Sequence, residues 1–312
     1  MNIQTGTRAT LDGQPAGEIS LAVSAEGLLN KDGRLRAVLG GGEAMADKAS
    51  TTARVTGMST ALLQPIIAGA VKDLPVDLAI DIGPSLDLVL TANADVGGAG
   101  AGAAAGEGLA ALPPADIDAQ VNSRNIQAAV KGRLDKGVLT SPGEGVRLTV
   151  AQASPLAQRI VAASQKDAAA GATKIALSGA GKVELIGRDL SLPLAGGGAD
   201  AILSKGKGEG SLVLSDVNAA VDMGAGGSAA PVRIERHAVN LTLTPGAGPK
   251  VALDGQLSHD NQPFTITGGY ALNGLSKGLP KSKGPGVLAE VNPTGTVEVK
   301  GLPRSLLAIV PA

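Results

Sequence analysis

The chain of 312 residues contains one Phe, one Tyr and no Trp. Each buried aromatic normally contributes ~150–250 Å² of packed surface, so an interior here has to be assembled from Val, Leu, Ile and Ala. That shortage argues against the thick core of a globular enzyme. The hydrophobic fraction of 44% and the charged fraction of 18% nevertheless separate the chain from disordered sequences. A thin, extended, folded architecture satisfies both facts. No break in composition divides the length, so residues 1–312 read as a single extended region.

Period-two alternation is the dominant pattern. It runs at Glu18 to Ser24, Asp77 to Ile82, Leu86 to Val96, Asp116 to Val121, Ile126 to Leu134, Val146 to Val150 and Lys174 to Leu177. It continues at Lys182 to Leu194, Ser211 to Val221, Val232 to Thr244, Lys250 to Ser258, Phe264 to Leu272 and Thr296 to Lys300. The pattern predicts on the order of 16 strands of ordinary length. Turn signals at Leu11 to Gly13, Lys31 to Gly33, Leu134 to Gly137, Leu253 to Gly255 and Asn273 to Gly274 join them as hairpins. The expected fold is mainly β, an elongated, curled antiparallel sheet forming a β-groove.

Two or three short amphipathic helices interrupt it. The first spans Ser59 to Val71, with Ser59 as cap and a kink or split at Pro65. The second spans Ser154 to Ala170, with Ser154 as cap, Pro155 in the first turn and Gly171 as stop. Leu302 to Val310 is the third. An internal echo links Ala53 to Leu63 with Val297 to Leu307, each reading as strand, Gly, then apolar helix start. The Gly/Ala segments at Gly97 to Gly108, Gly196 to Gly198 and Met223 to Ala230 read as loops.

Catalytic and metal-binding patterns are sparse. The two histidines, His237 and His259, lack ligand spacing; His237 reads as a solvated strand position and His259 as a turn residue. The Gly98 to Gly106 run lacks the strand-to-helix context of a dinucleotide loop and the Lys-Ser/Thr end of a P-loop. The pairs Asp77/Asp81, Asp116/Asp118 and Asp216/Asp222 read as solubility on a wet sheet face rather than as chelators. Asn240 and Thr242 form a glycosylation sequon in mid-strand, where it carries little weight. With no Cys there is no disulfide or thiolate metal site, and a net charge of −1 without a basic run makes nucleic acid an unsuitable partner. No cofactor, metal or catalytic residue is expected.

No run approaches the ~20 apolar residues of a membrane span, and the N-terminus lacks the basic and apolar regions of an export signal. The chain starts on a strand and stops within a helix, which reads as a piece of a longer protein. A meander with one apolar face and almost no aromatic filler suits an interior meant for acyl chains rather than side chains. The residues expected to line it are Leu78, Ile80, Ile82, Leu86, Leu88 and Leu90, then Ile175, Leu177, Leu212 and Leu214, and finally Val239, Leu241, Leu243, Val251 and Leu253.

The strand-rich, aromatic-poor texture, the insert Ser154 to Ala170, and the strand-Gly-helix units Val55 to Leu63 and Val299 to Leu307 resemble the AsmA-like bacterial envelope proteins. These are similar in design to TamB and to eukaryotic chorein-type bridge proteins. The resemblance implies a periplasmic β-groove anchored to the inner membrane, engaged in lipid transport or outer-membrane homeostasis. Its partners would be phospholipid acyl chains, and the envelope membranes through anchor segments missing from this chain; no catalytic residue is implied. The alternative is a structural or adhesive surface protein built of β-repeats without a ligand.

Overall fold

Alternating residues punctuated by Asp, Asn and Gly turns fold the chain into one antiparallel sheet of fifteen strands. The computed structural model describes residues 1–27, 47–70, 76–95, 112–164, 174–195, 198–222, 230–280 and 290–307. The strands are β1 (Asn2–Leu11), β2 (Gln14–Glu26), β3 (Lys48–Ser59), β4 (Ser85–Asp95), β5 (Ala115–Ser123), β6 (Ile126–Asp135), β7 (Val138–Ser141) and β8 (Val146–Val150). They continue as β9 (Lys174–Ser178), β10 (Lys182–Pro193), β11 (Lys207–Asp222), β12 (Ala230–Leu243), β13 (Lys250–His259), β14 (Gln262–Leu272) and β15 (Pro293–Lys300).

Two pairs share positions. β7 and β8 lie end to end between β6 and β10, while β9 and β10 lie end to end against β11. The sheet therefore has thirteen strand positions along its path, or roughly 60 Å at ~4.8 Å per strand. Counting alternating runs alone gives a longer sheet. All fifteen described strands belong to this one sheet, and close backbone contacts between them are confined to hydrogen-bonded neighbours.

Register gives the sheet two unlike faces. Residues directly opposite one another share a face, as do residues i and i+2. One row runs Thr7, Ile19, Val55, Leu88, Val121, Ala128, Leu148, Leu185, Leu212, Val239, Leu253, Gly268, Val297 across all thirteen positions. The adjacent row on the other face is mixed: Gly6, Ser20, Arg54, Val89, Gln120, Ala129, Arg147, Ile186, Ser211, Asn240, Ala252, Gly269 and Thr296. Traced through every ladder, no Asp, Glu, Lys or Arg falls on the first face.

Bulges preserve this separation. Apolar-face residues are two apart along most strands but three apart between Val55 and Met58, Gly187 and Leu190, Leu214 and Val217, and Ile234 and His237. The extra residue lets each strand turn without exchanging its faces. Asp189 and Asp216 take up the left-handed backbone at two of these points, with φ of 47° and 58°.

Helices occupy the connections. α1 (Thr60–Ala70) and α2 (Leu78–Asp81) join β3 to β4, α3 (Ser154–Ser164) follows β8, and α4 (Gly198–Lys205) joins β10 to β11. A 3-10 helix (Asn273–Lys277) follows β14, and α5 (Arg304–Leu307) follows β15. α1 continues through Pro65 as one element, and Ser59 belongs to β3 rather than to a cap. The predicted extensions of α3 to Ala170 and of the last helix to Val310, the Lys31 to Gly33 turn, the Gly97 to Gly108 loop, residues 196–197 and residues 223–229 lie outside the described residues.

Three expectations are corrected. Asp77 to Ile82 is not a strand, because the Asp77 side chain caps α2 by accepting from Ile80 N at 3.2 Å and Asp81 Oδ2 accepts from Asp77 N at 2.8 Å. Leu253 to Gly255 is not a turn. It lies inside β13, where Arg236 holds Asp254 at 2.9 Å, and the hairpin turn falls at Asp260 and Asn261, both at positive φ. Asn273 to Gly274 opens the 3-10 helix instead of a two-residue hairpin.

The strand-Gly-helix echo is present in three dimensions. Gly57 follows the regular part of β3 with φ 59°, Gly301 follows β15 with φ 72°, and each leads into a helix. Only glycine adopts this backbone without strain. At the bulge in β11, Asp216→Gly should be tolerated, whereas Asp216→Val should cost about 1–2 kcal/mol in urea unfolding monitored by circular dichroism.

Candidate functional site

The apolar face is the feature that sets this sheet apart from an ordinary folded surface. Twelve of the fifteen residues expected to line a groove lie on it: Leu86, Leu88 and Leu90 in β4, Ile175 and Leu177 in β9, Leu212 and Leu214 in β11, Val239, Leu241 and Leu243 in β12, and Val251 and Leu253 in β13. The other three, Leu78, Ile80 and Ile82, belong to α2 and the turn after it. Leu78 is buried there, while Ile80 is 49% exposed.

Leu90 is 39% exposed, Leu185 36%, Leu212 41% and Val297 46%. These values decide that the face is not sealed by protein. In a sandwich or closed barrel such mid-strand residues would be buried. Among the buried apolar residues, Met58, Leu134, Val217 and Phe264 sit at bulges and near strand ends, Leu78 and Leu306 in helices, and the small Ala238 in the middle of β12. The lone Phe thus seals an end, and Tyr270 is half-buried on the apolar face.

Residues outside the expected groove lining complete the face. Leu139 in β7, opposite Leu134, and Val297 and Val299 in β15 belong to it by register. β7 is only four residues long, too short for alternation to register. His237 is also there, half-buried beside Gly255, and is not a fully solvated strand position.

The opposite face is polar and internally paired. Arg133 reaches Asp95 at 3.1 Å and Asp116 at 3.3 Å, and Lys131 lies 3.9 Å from Asp118. Glu144, in the break between β7 and β8, accepts from Arg147 at 2.5 Å and from Arg188 at 2.6 Å. The hydrogen bond that Arg133 donates to Asp95 and the charge of Asp116 raise the Arg133 pKa, while the hydrogen bonds from Arg188 and then Arg147 lower that of Glu144. Asp116, Asp118, Lys131, Arg133 and Glu144 line a depression of ≈ 810 Å³. Its ionic side chains satisfy one another and leave no charge of one sign to recognise a ligand.

At the strand ends, helices are fastened by polar contacts. Gln64 joins α1 to the chain before α2 through Val76 O and Leu78 N at 2.9 and 2.8 Å. The Asn125 side chain donates to Ile80 O at 2.8 Å, and Arg159 of α3 pairs with buried Asp81 of α2. Asp77 and Asp81 therefore build structure, as do Asp116, Asp118 and Asp216.

His259 is the final residue of β13 and is 5% exposed. Its Nδ1 donates to Pro231 O across 2.6 Å, and its Nε2 lies 3.3 Å from Asp260. No described depression opens on it and no nucleophile adjoins it, so the pair fastens the hairpin to β12. Among the described residues no group of three or more His, Asp or Glu is placed to hold a metal. No described helix is long and apolar enough to cross a membrane. No protein-family model, curated protein or solved structure matches the chain.

The depressed pKa of Glu144 fixes a pH dependence. Its contribution is complete above the ordinary glutamate range near about pH 4.3 and is lost as pH falls through the lower folded value. Glu144→Gln should therefore show a smaller drop in melting temperature than the parent between about pH 5 and about pH 3, measured by differential scanning calorimetry.

Proposed function

We propose that the chain is a non-enzymatic lipid-handling segment of a cell-envelope protein, holding acyl chains against the apolar face of its sheet. The observation that carries this reading is the register: thirteen strand positions present one face without a single charged residue, and its central leucines stay open to solvent. Exposed contiguous apolar surface beyond a few hundred Å² marks an interaction site on a protein surface. At about 0.8 kcal/mol per buried methylene, a chain of ~16 carbons lying on this face gains roughly 10 kcal/mol before the cost of ordering.

The sheet offers such a chain a continuous path. Rows of Val, Leu and Ile succeed one another with Ala and Gly between them, so the surface is apolar but low. Curled along its length, it would form the trough of a β-groove, about 60 Å from edge to edge and longer than the ~30 Å hydrocarbon layer of one bilayer. The resemblance to AsmA-like proteins supplies the setting: the periplasm, with the intact protein anchored in the inner membrane. The ligand class is phospholipid.

The chain purified in mild detergent should carry phospholipid, detected by native mass spectrometry and by lipid extraction. The double variant Leu90→Asp with Leu212→Asp should lose more than about half of it, since each ionised group resists burial against hydrocarbon. Ser211→Asp, on the polar face, should retain it. Phospholipid no more abundant than on a matched control protein would refute the reading.

A further inference from the structure

The repeated strand-Gly-helix unit predicts what the outer edge of β15 binds. In β3, Val55 faces Ile19 of β2 on the inner side; in β15, the equivalent Val299 faces Ile266 of β14. Gly57 and Gly301 occupy equivalent places with similar φ, and the next residues, Met58 and Leu302, both turn toward the protein, buried and half-buried. The two units differ on the outer side. There β3 carries β4, whereas β15 has no described strand.

The way β4 seats on β3 has a distinctive chemistry. Leu90, Leu88 and Leu86 oppose Ala53, Val55 and Met58 on the apolar face. Between Leu86 and Leu88, Asp87 reaches across the bulge and accepts from Gly57 N at 2.6 Å. The carboxylate thus takes up an amide that the bulge removes from the regular ladder. On β15 the same positions are Val297, Val299, Leu302 and Gly301. No carboxylate is placed on the Gly301 amide among the described residues, and Val297 and Val299 are 46% and 43% exposed.

We propose that the outer edge of β15 is a strand-addition site for an extended polypeptide segment of another protein, with the pattern apolar-Asp-apolar-x-apolar. The segment pairs antiparallel to β15, places its apolar residues over Val297, Val299 and Leu302, and sets its Asp on the Gly301 amide. Ladder hydrogen bonds supply affinity, and alternate side chains with the Asp supply selection. Addition in this register extends the apolar face by one strand position. The assignment is independent of what that face carries.

β4 itself provides the probe. A labelled peptide of residues Ser85 to Asp95 should bind the full chain saturably in fluorescence anisotropy, and its Asp87→Ala version should bind about tenfold more weakly, the effect of losing one charge-assisted hydrogen bond. The chain has no Cys, so Val299→Cys creates a unique thiol. It should form a disulfide with a Leu88→Cys peptide far more readily than with a Val89→Cys peptide, whose thiol lies on the opposite face. Ile3→Cys, on the other edge strand, should capture neither. Absence of saturable binding, or equal capture at Ile3→Cys, would overturn the assignment. A covalent dimer of Val299→Cys chains that the peptide fails to suppress would also overturn it, giving the edge to a second copy.

Discussion

Every property of this fold depends on strand register. A shift of one residue in any ladder would carry a strand's entire apolar set to the polar side. Here the registers of thirteen positions agree, and they agree because bulges correct the phase where strands bend. Asp189 and Asp216 show how: a residue in the left-handed region absorbs one count, and the next leucine or valine returns to the same side. The polar side adds specificity. Asp116 lies directly opposite Arg133, and Arg236, opposite Gln256, reaches diagonally to Asp254; a slip would separate these opposite charges.

The lack of aromatics acquires its meaning from this register. In a sandwich, side chains from two sheets must fill a layer about 10 Å thick, and Phe, Tyr and Trp do much of that filling. The described strands form one sheet whose mid-strand leucines stay open to solvent, so its small side chains are not a weak core but the surface of a sheet. Burial is concentrated at bulges, hairpins and strand ends, where Met58, Leu134, Val217 and Phe264 are sealed and polar clasps such as Asp81 with Arg159 hold the helices. Stability is thus distributed along the ladders, and the broad apolar face stays available.

The features legible in the sequence were those governed by local periodicity. Alternation in β4, β9, β11, β12 and β13 suffices to assign Leu88, Leu177, Leu212, Leu241 and Leu253 to one side, since each strand's own pattern distinguishes its faces. It failed at Leu78 and Ile80, where the same alternation is overridden by the cap from Asp77 and by the short span before Gly83 and Pro84. The Asp254-Gly255 pair imitates a turn but lies in mid-strand, because its neighbours on both sides fit the ladder. Short β7 and helix α4 carry too few periodic residues to be recognised. No pattern in one strand could reveal the joint register, the exposure of the face or the pairing of the polar-face charges, all of which depend on partners distant in sequence.

The central claim is that one face of the sheet is turned toward lipid and the other toward water. Because the chain has no Cys, a single spin label introduced in turn by Ser211→Cys, Leu212→Cys, Val213→Cys and Leu214→Cys reports each side of β11 separately. With phospholipid present, labels at positions 212 and 214 should be shielded from a water-soluble relaxation agent and open to oxygen, and those at 211 and 213 the reverse. Equal accessibility of all four to the water-soluble agent would contradict the account.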